Sequence, residues 1–268
     1  MSDKIDVTVW TDRDIGSEAF ARKFIEGVSK IAGGRIAPEY FNLWEPINRS
    51  LENEGVEEAV KSWSTPNPLS GVFYLRRRSP PKLTIQVIKG TSMRLPSEKF
   101  PWSCGAWTSA LREAPVAAEL FELFVTLSAP AFGECALWSD LDAKHGFVID
   151  YDRGIRELSR GATPGGDLIP GIYWLTFLGP WAIKMLGEGK IRSLPAGEVK
   201  RIGNGYMIKA YPHLKQAGTA EARELEDRVK SHLGSHLFFD RGRVDIEEMR
   251  EMLINGTFDQ ASTSSDEQ

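Results

Sequence analysis

Two pairs of carboxylates, Asp140/Asp142 and Asp150/Asp152, each at a spacing of two, are the residues in this sequence that come nearest to a catalytic arrangement. On a strand, side chains at i and i+2 point to the same face. Either pair so placed could hold Mg²⁺ or divide the roles of general acid and base. Their loop-rich surroundings favour solvated carboxylates instead. His232 and His236 are four apart, with Asp240 four further on, a spacing that suits two metal ligands on one helical face. Gly234 lies between the histidines and ends the helix, so the two imidazoles are expected to diverge. His145 and His213 are isolated, and no serine or cysteine is placed beside either by sequence. The glycine-rich stretch Gly161-Ala162-Thr163-Pro164-Gly165-Gly166 contains Pro164 and lacks the strand-then-helix flanks of a phosphate loop. There is no Gly-x-Ser-x-Gly elbow and no Cys-x-x-Cys pair. No catalytic, metal or cofactor-binding residue is assigned, and no cofactor is expected.

Charge is distributed unevenly about a formal net value of -4. From Arg112 to Asp152 there are eight acidic residues and two basic ones, so this segment is more negative than the whole chain. A basic cluster, Arg76-Arg77-Arg78 with Lys82, compensates elsewhere. Such a polarity attracts a basic partner and repels nucleic acid, whose binding depends on Lys and Arg neutralising phosphates. The surface candidates drawn from the acidic segment are Glu134, Trp138, Asp140, Asp142, Asp150, Tyr151 and Asp152, with Trp138 or Tyr151 as the aromatic anchor. The bland alternative is a solvated helix face with its following loops.

With 268 residues, 41% of them apolar, the chain can bury a full core. The segment Met1 to Asp6 passes directly into a strand pattern without the apolar region of a secretory signal, and no apolar run reaches the length of a membrane span. A cytoplasmic protein that does not engage membranes is the expectation. Cys104 and Cys135 sit in apolar, strand-like surroundings and read as buried thiols.

The elements that must position these groups form an α+β pattern, with mostly antiparallel sheet and packed helices in both halves. Ile5 to Trp10 alternates as a strand, and Ser17 caps a helix whose apolar positions run from Phe20 to Ile31. A helix over Glu54 to Trp63 follows, then a hairpin of Gly71–Leu75 with Leu83–Lys89. Cys104 to Ser109 reads as a strand, and Pro115 opens a helix that Pro130 stops. Ala131–Trp138 and Gly146–Ile149 read as strands around an acidic loop, Asp140 to Lys144.

Residues 152–168 are polar and glycine-bearing, the best place for a boundary or a long ordered loop between an N-terminal half, 1–152, and a C-terminal half, 167–256. Between the turn pairs Pro170-Gly171 and Gly179-Pro180 runs an apolar, aromatic stretch of strand length, then a short helix from Trp181 to Leu186. Gly203-Asn204-Gly205 between two alternating runs is the strongest hairpin signal in the chain. Thr219 to Leu233 is an amphipathic helix ended by Gly234, Val244 to Ile254 a short last helix, and 257–268 a polar tail expected to be disordered.

The stretch Asp167-Leu168-Ile169-Pro170-Gly171-Ile172-Tyr173-Trp174-Leu175-Thr176-Phe177-Leu178-Gly179-Pro180 precedes a short helix to Gly187, a hairpin and a helix ending His232-Leu233-Gly234, with Phe238-Phe239-Asp240 beyond. Over residues 167–240 this resembles the C-terminal half of immunity proteins of bacterial polymorphic toxin systems. It looks like the type VI secretion immunity family associated with VRR-Nuc toxins, with the immunity 52 family as a near neighbour. The resemblance implies a cytoplasmic α+β antidote without catalytic activity that binds a cognate toxin, here a nuclease with a basic cleft, and occludes it. It supplies no site residues. Two rival classes stay open: a metal-dependent or hydrolytic enzyme using the carboxylate pairs or His232/His236, and an adaptor of a secretion or defence locus.

Overall fold

Ile5, Val7 and Val9 alternate with Asp6, Thr8 and Trp10, and the alternation produces the strand on which the molecule is built, β1 (Lys4–Thr11). The computed structural model describes residues 4–65, 71–89, 102–109, 114–150, 156–160, 162, 164–195 and 197–243. After β1 come α1 (Glu18–Lys30), β2 (Tyr40–Asn42), β3 (Arg49–Ser50), α2 (Leu51–Ser64), β4 (Val72–Arg77), β5 (Leu83–Lys89), β6 (Trp102–Ser109), α3 (Ala114–Ser128) and β7 (Phe132–Leu137). Then follow α4 (Trp138–His145), β8 (Gly146–Asp150), β9 (Arg156–Arg160), β10 (Leu175–Leu178), α5 (Pro180–Leu186), α6 (Glu188–Arg192), β11 (Glu198–Ile202), β12 (Gly205–Lys209) and α7 (Ala220–Leu233).

Ten strands form one antiparallel sheet in the order β11-β12-β10-β7-β1-β6-β5-β4-β2-β3, and β8 pairs with β9 separately. The fold is α+β, and the large sheet takes strands from both halves of the chain. Local chemistry accounts for several boundaries. The hydroxyls of Ser17, Ser50 and Thr219 each accept a backbone N–H in the first turn of α1, α2 and α7. Gly234, at φ 114, ends α7 in a conformation that disfavours a β-carbon. The β11–β12 hairpin closes around Gly203-Asn204, with Ile202 opposite Gly205.

One face of the sheet carries Val9, Cys104, Val87 and Phe73 in a row across β1, β6, β5 and β4. Helices α1, α2 and α3 cover it. Their aromatic rings interlock over Phe73: Phe24 lies 5.0 Å from Phe124, and Trp63 lies 5.2 Å from Phe24 and 5.0 Å from Phe73. The Trp63 indole N–H is satisfied by the Ile15 carbonyl at 2.8 Å. On the other face, the Tyr206 hydroxyl of β12 donates to Glu188 of α6 at 2.5 Å. Further along that face, Val72, Tyr74, Arg76, Thr84, Gln86 and Ile88 of β4 and β5 are only half-buried. Cys104 and Cys135 are buried free thiols, and burial pushes both up from the ordinary thiol range.

Four expectations change. The acidic loop over Asp140–Lys144 is a helix, α4, which begins directly at Trp138 where β7 ends. The strand expected across Ile172–Leu178 is confined to Leu175–Leu178. Its first residues are buried but bend out of the ladder, because the Tyr173 N–H is taken by the Thr176 hydroxyl at 2.9 Å. The segment 152–168, expected as a boundary or a long ordered loop, contains a strand, since Arg156–Arg160 pairs with β8. Strands β2 and β3 and helix α6 were not foreseen. The helix expected over Val244–Ile254 and the tail 257–268 lie outside the described residues. Among the described residues, no helix is long and apolar enough to cross a membrane.

Candidate functional site

Strand β7 and helix α4 carry most of the acidic residues singled out by sequence, and they send them in different directions. Glu134 stands on β7 opposite Thr8 of β1 and Thr176 of β10, with no solvent exposure. It is interior to the sheet and offers no surface. Asp140 is 5% exposed and also faces inward. Its carboxylate takes an ion pair from Lys144 one turn later at 2.8 Å, and the same ammonium pairs with Glu226 of α7 at 2.8 Å. Lys144 further donates to the Ile172 carbonyl at 3.1 Å and lies 4.9 Å from the centre of the Tyr173 ring.

A single lysine thus ties α4 to α7 and to the segment before β10. Burial pushes the Glu226 carboxyl up; the Lys144 charge opposes this and the Asp140 charge adds to it. Burial, then the charges of Asp140 and Glu226, hold the Tyr211 phenol protonated far above its usual range. The electrostatics of this cluster are those of a structural tie.

The outer side of α4 is different. Two positions along a helix turn the side chain by about 200°, so Asp142 cannot share the face of Asp140. Asp142 is half-buried and lies one turn beyond Trp138, which is 45% exposed. Trp138 and Asp142 therefore share a face pointing away from the Lys144 tie. Asp150 belongs to β8, in register with Arg156 of β9. Tyr151 and Asp152 lie outside the described residues. Of the seven candidates, the structure brings Trp138 and Asp142 together at the surface and removes Glu134 and Asp140 from it.

Asp140 and Asp142 are thus divided between two faces of α4, and the two histidines are engaged separately. His232 accepts or donates at Ser193 Oγ, 3.2 Å away, and lies 3.0 Å from the Lys190 carbonyl, fixing α7 to the end of α6. His236 comes after the turn at Gly234, and its ring sits near that glycine. Among the described residues, no group of three or more His, Cys, Asp or Glu could hold a metal ion.

Two clefts remain. One of about 580 Å³ lies between α4 and the exit of α7, with Lys144, Gly171, Lys230, Phe239 and Asp240 in its walls. The other, of about 500 Å³, is lined by Lys4, Arg76, Arg78, Lys82 and Thr84, together with Arg77. The sequence marked this basic run only as compensating charge. Missing was that β1, a sequence-distant strand, adds Lys4 to it.

Neither a protein-family profile nor a curated protein sequence matches the chain. Among solved structures the fold is similar to the Pseudomonas aeruginosa T6SS protein PA0821, with a TM-score of 0.59, 13% identity, and coverage of 88% of this chain and 73% of that one. At that identity the likeness is one of fold.

Proposed function

We propose that this protein is an immunity protein that binds a secreted bacterial toxin, a nuclease by the sequence resemblance, and neutralises it by covering its active cleft. The observation that carries the reading is Trp138, a large aromatic held out of the core on a short helix that Lys144 fixes from beneath. A rigid, exposed tryptophan beside a carboxylate is a suitable anchor for a protein partner, since aromatic side chains dominate binding hot spots and little order has to be gained on docking. Two further points support it: the resemblance over residues 167–240, and the type VI secretion assignment in the name of the Pseudomonas protein that shares the fold. On this reading the protein makes no covalent change to its partner, needs no cofactor and acts in the cytoplasm.

Co-expression with the product of the neighbouring gene, followed by pull-down and growth rescue, tests the proposal. Trp138→Ala and Asp142→Lys are expected to weaken the complex at least tenfold, about 1.4 kcal/mol, while leaving the unfolding midpoint nearly unchanged. Turnover of a nucleic-acid or peptide substrate by the pure protein, abolished by substitution of His232 or Asp140, would overturn it in favour of an enzyme.

A further inference from the structure

Helix α4 leaves β7 without a connecting loop and is fastened on two of its sides. Leu141, 6% exposed, enters the core, and Lys144 takes Asp140 and Glu226 together at 2.8 Å each. Residues four apart lie one above the other on a helix, with β-carbons about 6 Å apart. Trp138 and Asp142 are such a pair, on the side that neither Leu141 nor Lys144 occupies.

What this pair can accept follows from what it would lose in a complex. An interface that covers the 45% exposed indole also strips water from the carboxylate one turn away. A desolvated carboxylate without a counter-charge opposes binding. The lysine of the same helix does not supply that charge, since Lys144 is committed on the opposite face. Among the described residues, no side chain makes an ion pair or hydrogen bond with the Asp142 carboxylate. The counter-charge has to come from the partner, and it has to sit against an aromatic surface. A guanidinium meets both conditions: its plane stacks on an indole face while its N–H groups, which lie in that plane, reach a carboxylate. An ammonium is more strongly hydrated and has no plane to stack.

We infer that Trp138 and Asp142 form a clamp for an arginine side chain of the protein partner. The inference deepens the immunity reading and rests on it for the identity of that partner. An apolar side chain seated on Trp138 would leave Asp142 covered and without a counter-charge. A nucleic acid, whose bases also stack on tryptophan, would bring phosphates towards the carboxylate. The net charge of -4 works in the same direction as the clamp, since it draws a basic partner.

A hexaarginine peptide, titrated against the full-length protein carrying isotope-labelled tryptophan, tests the inference without the toxin. The indole N–H resonance of Trp138, assigned by its loss in Trp138→Phe, should shift as the peptide is added. The affinity read from that resonance should fall about fivefold in Asp142→Asn and about threefold when hexalysine replaces hexaarginine. Trp138→Leu keeps an apolar side chain but removes the ring face, and by calorimetry it should also weaken hexaarginine about fivefold. Glu52→Gln, the same change of charge at an exposed position on α2, should leave binding near wild type. An unmoved Trp138 resonance, an Asp142→Asn variant that binds as wild type, or hexalysine bound as tightly as hexaarginine would overturn the inference. Peptide binding at Trp138 combined with a pull-down that recovers no partner would reject the immunity reading alone. A pull-down weakened by Trp138→Ala but untouched by Asp142→Asn would reject the clamp alone.

Discussion

Replacing Lys144 by methionine removes the one cation shared by two buried carboxylates. Asp140 and Glu226 have side chains 4% and 3% exposed and sit 2.8 Å from the ammonium, which is itself 17% exposed. Breaking a buried ion pair from one side costs about 3–5 kcal/mol, because a charge is left without its partner. The partial exposure of Lys144 lets water reach the site and favours the lower figure, so a loss of about 3 kcal/mol at pH 7 is expected. For a chain of this size that lowers the thermal midpoint by about 6–12 °C.

The loss should depend on pH with a definite sign. Burial already raises the Glu226 carboxyl above its ordinary value of 4.5. Without Lys144 the folded state holds that proton still more strongly. A group whose folded value lies above its unfolded one contributes stability that is complete below the unfolded value and is lost as pH rises through the folded one. The gap between variant and wild type should therefore be widest near pH 7 and narrow towards pH 4.5. Lys144→Met/Glu226→Gln should recover about half of the loss at pH 7. Urea unfolding followed by circular dichroism at several pH values measures all three proteins. A loss below about 1 kcal/mol, or a gap indifferent to pH, would refute the view that this lysine ties the helices together.

Other substitutions test other parts of the structure. A β-carbon at Gly179 would lie 2.0 Å from the Pro130 carbonyl oxygen; since backbone has to move, Gly179→Ala should cost about 3 kcal/mol or more by the same urea assay. Burial works to raise the Glu39 carboxyl, but hydrogen bonds from Ser79 and Arg78 and the charge of Arg77 together hold it below the usual value. Its contribution, about 1 kcal/mol, is present above the ordinary value of 4.5 and lost as pH falls through the depressed one, so Glu39→Gln and wild type should converge in thermal melts on acidification. Trp138→Ala should change the unfolding free energy by less than about 0.5 kcal/mol, since the indole is 45% exposed.

What could be read from the sequence was the chemistry that acts over a few residues. Ser17, Thr219 and Gly234 satisfy or end a helix through their own backbone neighbourhood, and Gly203-Asn204 closes a hairpin by its own torsions. Contacts between distant segments were hidden. An eight-residue helix such as α4 has little periodicity to betray it, and Asp140 can be interior only because Glu226, 86 positions later in sequence numbering, shares its lysine. The aromatic run at Ile172–Trp174 reads as strand on composition, yet the Thr176 hydroxyl captures a backbone donor and bends it. Trp138 could be suspected of exposure from its place beside the acidic segment, whereas the union of Lys4 with Arg76 and Lys82 needs strand order.

The placement of β1 also has a consequence in time. Its neighbours in the sheet are β6 and β7, so Ile5 meets Thr108 and Leu137. While the chain leaves the ribosome, the apolar residues of this first strand emerge long before either flanking partner has been translated. High contact order of this kind slows folding and prolongs the exposure of unpaired edges. Nascent chains halted before β7 should be the species that chaperones retain, and release should follow once Leu137 has cleared the exit tunnel.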